Sequence, residues 1–488
     1  MENRNQITIL KALNSLTEIR NIPVFVVGGT VRDLLLNRKT TDLDVLVFGD
    51  VWRLAADLAR AFETTWFIVD EPTQTARVMM PANQSPKHLD LIGTGYQDLL
   101  ENLIDRDFTI NSMAMGLQEY INYVDGTDRE LVAKIIDPTQ GRADLEKEVI
   151  QINKETVFEK DPLRLLRAIR FSATLGFQIE SRTRALIEQQ AELINRVAYE
   201  RIRDELFKIL AAEKASSWIV LMDELGILSQ VFPELSALKG VQQNEYHALD
   251  VWGHCLAALE EFELRPWEKI LGPDVKAQIE QYLTEDLVEG RQRWQLLKLG
   301  ALLHDMGKPE VKGKKAGGKI IFYGHEQAGA RQARLTADRL KLSNREKRIL
   351  SLVIDQHMRP FHLFRAKNHT DKAEYRFFST TEAETVSVLL LSLADRQAGR
   401  TMTPAEETAN FQSFINSLVK KYYLEFVPAR NNRLISGREV IAAYDLKPGP
   451  SIGKLMERVE EAQALGNIHT REEALSLVGQ ILKLSRII

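Results

Sequence analysis

Asp42 and Asp44 stand two residues apart in the run Asp42-Leu43-Asp44-Val45-Leu46-Val47-Phe48. A strand alternates its side chains between faces, so both carboxylates are expected on one face, with Leu43 and Val45 turned to the core. Like charges held together repel unless a cation lies between them. Oxygen-ligated Mg²⁺ suits this donor set, and it usually brings substrate phosphates with it. Just upstream, Val24-Phe25-Val26-Val27 reads as a buried strand. Gly28 and Gly29 then let the backbone turn and approach a ligand with no Cβ in the way. Thr30 to Leu36, which carries Arg32, reads as a helix leaving that turn, its first N–H groups open to phosphate oxygens.

Further along, Arg106 and Asp107 precede a short helix that Asn111 and its apolar neighbours continue. Asp161 and Arg164 are three apart and so share a helix face, with Arg167 on the next turn and Arg170 beyond it. Pro162 suits the first turn of that helix and Asp161 its cap. A fixed carboxylate acceptor beside a guanidinium donor can read the Watson–Crick edge of a base. A second constellation is built on histidine: His254, the adjacent pair His304-Asp305 after the apolar run Leu296 to Leu303, then His325, His357 and Asp395. Imidazole and carboxylate donors suit a mid-to-late first-row divalent ion. His88, His247, His362 and His369 read as ordinary core or surface histidines.

The stretch Val24 to Phe48 resembles the head of the class II tRNA nucleotidyltransferase and bacterial poly(A) polymerase family. The resemblance implies that Gly28 and Gly29 hold a triphosphate and that Asp42 and Asp44 hold two catalytic Mg²⁺ ions. It also implies that Asp90, between Leu89 and Leu91 in a later strand, is a third acid. The run Asp105-Arg106-Asp107-Phe108-Thr109-Ile110-Asn111 is similar to the family's Arg-Arg-Asp-Phe-Thr-Ile-Asn motif, which places Arg106 on the nucleotide and Asp107 on its sugar. Asp161 and Arg164 resemble its base-selecting Glu-Asp-x-x-Arg. Two positions depart: Asp105 stands where the family has arginine, and Lys160 where it has glutamate. The histidine set resembles the metal-dependent phosphohydrolase superfamily named for its His-Asp pair, in its two-metal form. That implies Ni²⁺, Mn²⁺ or Mg²⁺ and action on 2′,3′-cyclic phosphates or 2′-phosphates at RNA ends.

These sites need elements to carry them. The pattern predicts a multidomain α+β chain: an N-terminal head of mixed β-sheet with helices over 1–140, then all-helical regions. The latter divide into a neck with the base-reading motif over 141–238, a His-Asp domain over 239–400 and a tail over 401–488. Strands are expected near Thr65–Val69, Ala76–Met80 and Leu89–Ile92, with a polar loop holding Pro81 and Pro86 before the last. Asp125-Gly126, between two apolar pieces of Tyr123–Asp137, signals a hairpin. Between the His-Asp pair and His325 runs Lys312-Gly313-Lys314-Lys315-Ala316-Gly317-Gly318-Lys319, either a loop that steers RNA or a solvated one.

A chain of 488 residues exceeds one core, and its net charge of −4 makes any RNA contact local. One cysteine, Cys255, excludes an internal disulfide. With no secretory or membrane-spanning apolar run, a cytoplasmic protein is expected. The implied function is template-independent addition of C, A or both, from CTP and ATP, to the 3′ end of tRNA or another RNA. A poly(A) polymerase, a CC-only or A-only enzyme, or a phosphohydrolase with an RNA-binding head are the alternatives.

Overall fold

The computed structural model describes residues 2–38, 42–80, 87–94, 98–127, 132–243, 248–288, 290–367, 369–399 and 404–485, the side chains of 2–6, 42, 274 and 485 excepted. The loop with Pro81 and Pro86, and His247, lie outside this set. The chain forms two compact units, Met1–Val197 with Glu224–Ile227, and Ala198–Asp223 with Leu228–Ile488.

The first unit opens with α1 (Glu2–Ile19) and β1 (Val24–Val27), then α2 (Gly29–Leu35), β2 (Asp42–Val47) and α3 (Val51–Ala61). Then follow β3 (Trp66–Asp70), β4 (Thr75–Met79), β5 (His88–Gly93), α4 (Leu99–Ile104), β6 (Ala114–Gly116) and α5 (Leu117–Val124). The strands build one six-stranded sheet in the order β3-β4-β5-β2-β1-β6. β2 and β5 run parallel with Asp44 opposite Asp90, and the other pairs are antiparallel. Leu43, Val45, Val47, Leu89 and Leu91 are fully buried. Each such side chain contributes roughly 1.5–3 kcal/mol, and a one-residue slip would turn all of them outward, so the core fixes the register that carries Asp44.

The expected hairpin at Asp125-Gly126 does not form. Leu117, Tyr120 and Ile121 are buried at helical spacing and make α5, which Asp125 caps. Gly126 follows with φ of 77°, the left-handed residue of a helix end. The same dipeptide serves either turn, and here the helical period upstream decides. The second apolar piece is a single 3₁₀ turn, Val132–Lys134, followed by a bridge from Ile136 to Ala114 of β6.

Beyond the sheet the unit is helical except for a two-residue parallel pair, Val149–Ile150 with Gln178–Ile179. Its helix Arg164–Leu175 buries Leu165, Leu166, Ala168, Ile169, Phe171 and Ser172, leaving Asp161, Arg164, Arg167 and Arg170 half-buried along one side. In the second unit five helices converge on the histidines: Val251–Glu263, Arg293–Leu303, His325–Arg339, Asn344–Gln356 and Thr385–Ala398. Leu296, Leu299, Leu302 and Leu303 are buried, as are Val386 and Leu389 to Leu391, so these helices are packed on several faces. A smaller apolar cluster, including Val440, Val459 and Val478, holds the C-terminal helices together.

Candidate active sites

Gly28 ends β1 with φ of 67° and ψ of −132°, a conformation that a side chain would strain. A Cβ there would also lie 2.9 Å from Arg106 Nη1 and 3.6 Å from Asp44 Oδ2. The missing side chain therefore leaves a cradle between an arginine and an acid. Thr30 on α2 accepts the Asp44 amide at 3.1 Å, tying the glycine turn to the acidic strand. Asp42 lies on β2 opposite His88.

Arg106 is half-buried, and among the described residues its guanidinium makes one hydrogen bond, a long one of 3.4 Å to Asn102. Its Nε is enclosed with no partner. Burial pushes its pKa down, while the Asp44 and Asp107 charges oppose that shift. Such an under-used cation is costly unless an anion completes it. Behind it Asp107 is buried and accepts both Arg167 Nε and Nη2, at 2.8 and 2.6 Å, and Asn111 Nδ2 at 3.1 Å. Burial alone would raise the Asp107 carboxyl; the Arg167 charge outweighs it and holds the group below the usual carboxylate range. Asn111 in turn accepts Arg32 Nη1 at 2.8 Å. Arg32, Arg167 and Arg170 gather on the Phe171 ring, at 5.2, 5.3 and 3.8 Å from its centroid. Sequence reading missed Phe171 in this role, and it missed Asn153, which donates to the Arg106 carbonyl at 3.0 Å.

Asp161 accepts the Leu163 amide at 3.3 Å, the capping contact its position suggested, although the helix proper starts at Arg164. Asp90 is held by Arg77, directly opposite on β4, through two hydrogen bonds of 2.7 Å. Its negative charge is thereby compensated by a guanidinium.

In the second unit, His254, His304, Asp305, His325, His357 and Asp395 come together. Three overlapping trios have ligand atoms within 4.8 Å of one another: His254, His304 and Asp305; His304, His357 and Asp395; Asp305, His325 and His357. His304, His325 and His357 each direct Nδ1 at the carbonyl three residues back, at 2.7–2.8 Å. That bond assigns a proton to Nδ1 and turns Nε2 inward, where it offers a lone pair whenever the ring is neutral. All three Nε2 atoms are buried without a hydrogen-bond partner. Inward lone pairs facing two carboxylates are the donor set of a divalent cation, so the residues fit a metal. His254 Nε2 lies 2.8 Å from Asp395 Oδ1, and Asp305 Oδ1 lies 3.4 Å from His325 Nε2. Lys308, missed in the sequence, sits 2.5 Å from Asp305 Oδ2 and donates to Gln243 at 2.6 Å. Gly307 carried a usable signal. A Cβ there would lie 2.3 Å from both the His325 carbonyl and the Gly329 amide, so only glycine lets the His-Asp turn seat against the His325 helix. His88, His362 and His369 take no part in this cluster.

The chain matches three family descriptions: a poly A polymerase head domain over residues 24–151, a probable RNA and SrmB-binding site of polymerase A over 176–239, and an HD domain over 275–398. It is 31% identical over 459 residues to the A-adding tRNA nucleotidyltransferase of Deinococcus radiodurans, covering 93% of this chain and 94% of that one. The chain belongs to the tRNA nucleotidyltransferase family. Another tRNA nucleotidyltransferase, the CC-adding protein of Thermus thermophilus, is 28% identical, with 92% of each chain covered. The fold is that of the Thermotoga maritima CCA-adding enzyme complexed with tRNA, at a TM-score of 0.58 and 21% identity, over 97% of this chain and 95% of that one. A CCA-adding enzyme in complex with CTP gives 0.61 and 21% over the same shares. No described helix is long and apolar enough to cross a membrane.

For a tRNA nucleotidyltransferase, the two departures in its motifs turn out to be one feature. Asp105 Oδ2 lies 2.8 Å from Lys160 Nζ, and Asp105 Oδ1 lies 2.6 Å from Lys154 Nζ. The acid and the base that stand out of pattern neutralise each other. The Asp105 carbonyl also accepts Arg164 Nη2 at 3.3 Å, so the exchanged pair braces a base-reading candidate. Reversing one partner, by Asp105→Arg or Lys160→Glu, sets like charges together in a half-exposed pair. It is expected to lower kcat/KM for nucleotide incorporation about fivefold. The double variant Asp105→Arg/Lys160→Glu is expected to recover most of that loss in a double-mutant cycle. Additive losses would show that the pair does no positioning.

Proposed function

We propose that the head transfers a nucleotidyl group from CTP, ATP or both to the 3′ end of tRNA. The observation that carries this reading is Arg106, whose guanidinium faces the Asp44 carboxylate across the side-chain-free Gly28 and whose Nε is enclosed with no partner. The glycine turn admits the triphosphate against the backbone, and Arg106 offsets its charge. Asp107, fixed by Arg167 and Asn111, accepts a sugar hydroxyl, while Asp161 and Arg164 present an acceptor and a donor to the base. Asp44, with Asp42, would hold Mg²⁺, which when bound supplies charge neutralisation at the triphosphate and at the RNA 3′ oxygen. That oxygen loses its proton to solvent and bonds to the α-phosphorus, the bond to the bridging oxygen breaks, and pyrophosphate leaves. Positioning and charge compensation account for most of the acceleration. Asp90, opposite Asp44 on the neighbouring strand, would be a third acid beside Asp42 and Asp44, its charge offset by Arg77.

The cluster of His254, His304, Asp305, His325, His357 and Asp395 would hold a divalent metal such as Ni²⁺ or Mn²⁺, or Mg²⁺, and hydrolyse phosphoesters at RNA ends. Its enclosed imidazole lone pairs support that reading. The transfer test uses tRNA transcripts that stop before or within the 3′-terminal C and A residues, each mixed with Mg²⁺ and one labelled nucleotide. Labelled C or A should enter at least one acceptor, with G and U excluded. Equal entry of all four would remove the base-reading roles of Asp161 and Arg164.

A further inference from the structure

Lys312, Lys314 and Lys315 are exposed, and they form no ion pair with any described carboxylate. The eight residues from Lys312 to Lys319 hold four lysines and no acid, in a chain whose net charge is −4. They are a built element. Gly313 and Lys314 pair with Ile321 and Ile320, and Lys315 and Lys319 are bonded across the tip, where Gly317 and Gly318 adopt φ of 91° and 81°.

Each foot of this hairpin touches a residue of the His-Asp cluster. It leaves the short helix Lys308–Val311, whose Lys308 contacts Asp305. It returns through Phe322, whose buried carbonyl orients His325. Between Phe322 and His325 lies Tyr323, an aromatic ring left 68% exposed, with Lys315 Nζ 5.0 Å from its centroid. Two residues of chain span at most about 7 Å, roughly one nucleotide step from the His325 ligand position. An exposed ring next to cations with no described carboxylate partner is the arrangement by which proteins hold single-stranded nucleic acid: bases stack while lysines track phosphates.

We propose that residues 312–323 dock the single-stranded 3′ end of an RNA whose terminal phosphoester is hydrolysed at the His-Asp cluster. The proposal rests on the phosphohydrolase reading of that cluster. Tyr323 stacks the last base, and Lys312, Lys314 and Lys315 hold the phosphates behind it. In the hydrolysis of a 2′,3′-cyclic phosphate, a water oxygen bonds to phosphorus, one ester P–O bond breaks, and the water proton passes to the released ribose oxygen.

The test compares 2′,3′-cyclic AMP with a short single-stranded RNA carrying the same terminal cyclic phosphate, using the full chain loaded with Ni²⁺ or Mn²⁺. The oligonucleotide should be preferred in kcat/KM. Lys312→Glu/Lys314→Glu/Lys315→Glu should cut that preference about tenfold, mainly through KM, and flatten the log–log salt dependence of KM by about 2. Tyr323→Ser should cut the preference about tenfold, while Tyr323→Phe keeps it. If the metal-loaded protein hydrolyses neither substrate, the phosphohydrolase reading falls and takes this proposal with it. If it hydrolyses both equally well, or if the triple variant keeps its oligonucleotide preference and salt slope, the hairpin assignment alone is overturned.

Discussion

Asp44→Asn should abolish nucleotide incorporation while leaving the fold intact, the largest effect expected of any single substitution in the head. The substitution keeps shape and volume, so the Asp44 amide still reaches Thr30 and β2 keeps its place beside β1 and β5. What goes is one negative charge beside the glycine turn, the group that would hold Mg²⁺ against the triphosphate. Losing about 4 kcal/mol of transition-state charge stabilisation corresponds to roughly a 10³-fold fall in kcat. Arg106 would meanwhile lose a nearby compensating charge, so nucleotide affinity should change far less than turnover. Measured together, kcat and KM separate the roles: a fall in kcat at near-constant KM supports a site acting in the transition state. Unchanged turnover would remove Asp44 from the chemistry.

The second large effect concerns the His-Asp cluster. Ni²⁺ or Mn²⁺ at about 100 times its Kd should stabilise the protein by about 2.7 kcal/mol. For a domain of this size, that raises the melting temperature by roughly 5–10 °C. Asp305→Asn should eliminate that shift together with any phosphoester hydrolysis, because Asp305 belongs to two of the three ligand trios. The shift should also depend on pH. Burial opposes a charge on His304, but the Asp305 carboxylate outweighs it and raises the imidazole pKa well above its ordinary value. His357 runs the other way, pushed down to about 3 by burial and by the His304 charge, so it is neutral and ready to bind. A metal must therefore displace a proton from His304, and binding strengthens as pH rises. The thermal shift should be larger near pH 8 than near pH 6. A shift that is independent of pH, or that survives Asp305→Asn, would show that the ion binds elsewhere.

The candidate site residues were legible because their spacing mirrors the period of the element that carries them. Asp44 lies on a strand whose neighbours Leu43 and Val45 are buried, and Arg164 and Arg167 lie on the polar side of a helix whose other side is Leu165, Leu166 and Ile169. The histidines were legible as a set of types, although their convergence required five helices to pack. Asp125-Gly126 was misread because a glycine with positive φ ends a helix as readily as it makes a hairpin. What no local pattern carries is pairing across distance: Lys308 with Gln243, Arg77 with Asp90, and above all Asp105 with Lys160, 55 residues apart. Asp105 and Lys160 stood out only as departures from a motif, and Lys308, Gln243 and Arg77 carried no signal until the fold set each against its partner.

The most direct measurement is the length of the product formed on a tRNA lacking its 3′-terminal C and A residues, with CTP, ATP and Mg²⁺ all in excess. A single product extended by a short, fixed run of C, A or both, absent with Asp44→Asn, is the predicted result. A ladder of long A tracts, or an acceptor that stays unextended while the protein binds nucleotide normally, would contradict the account.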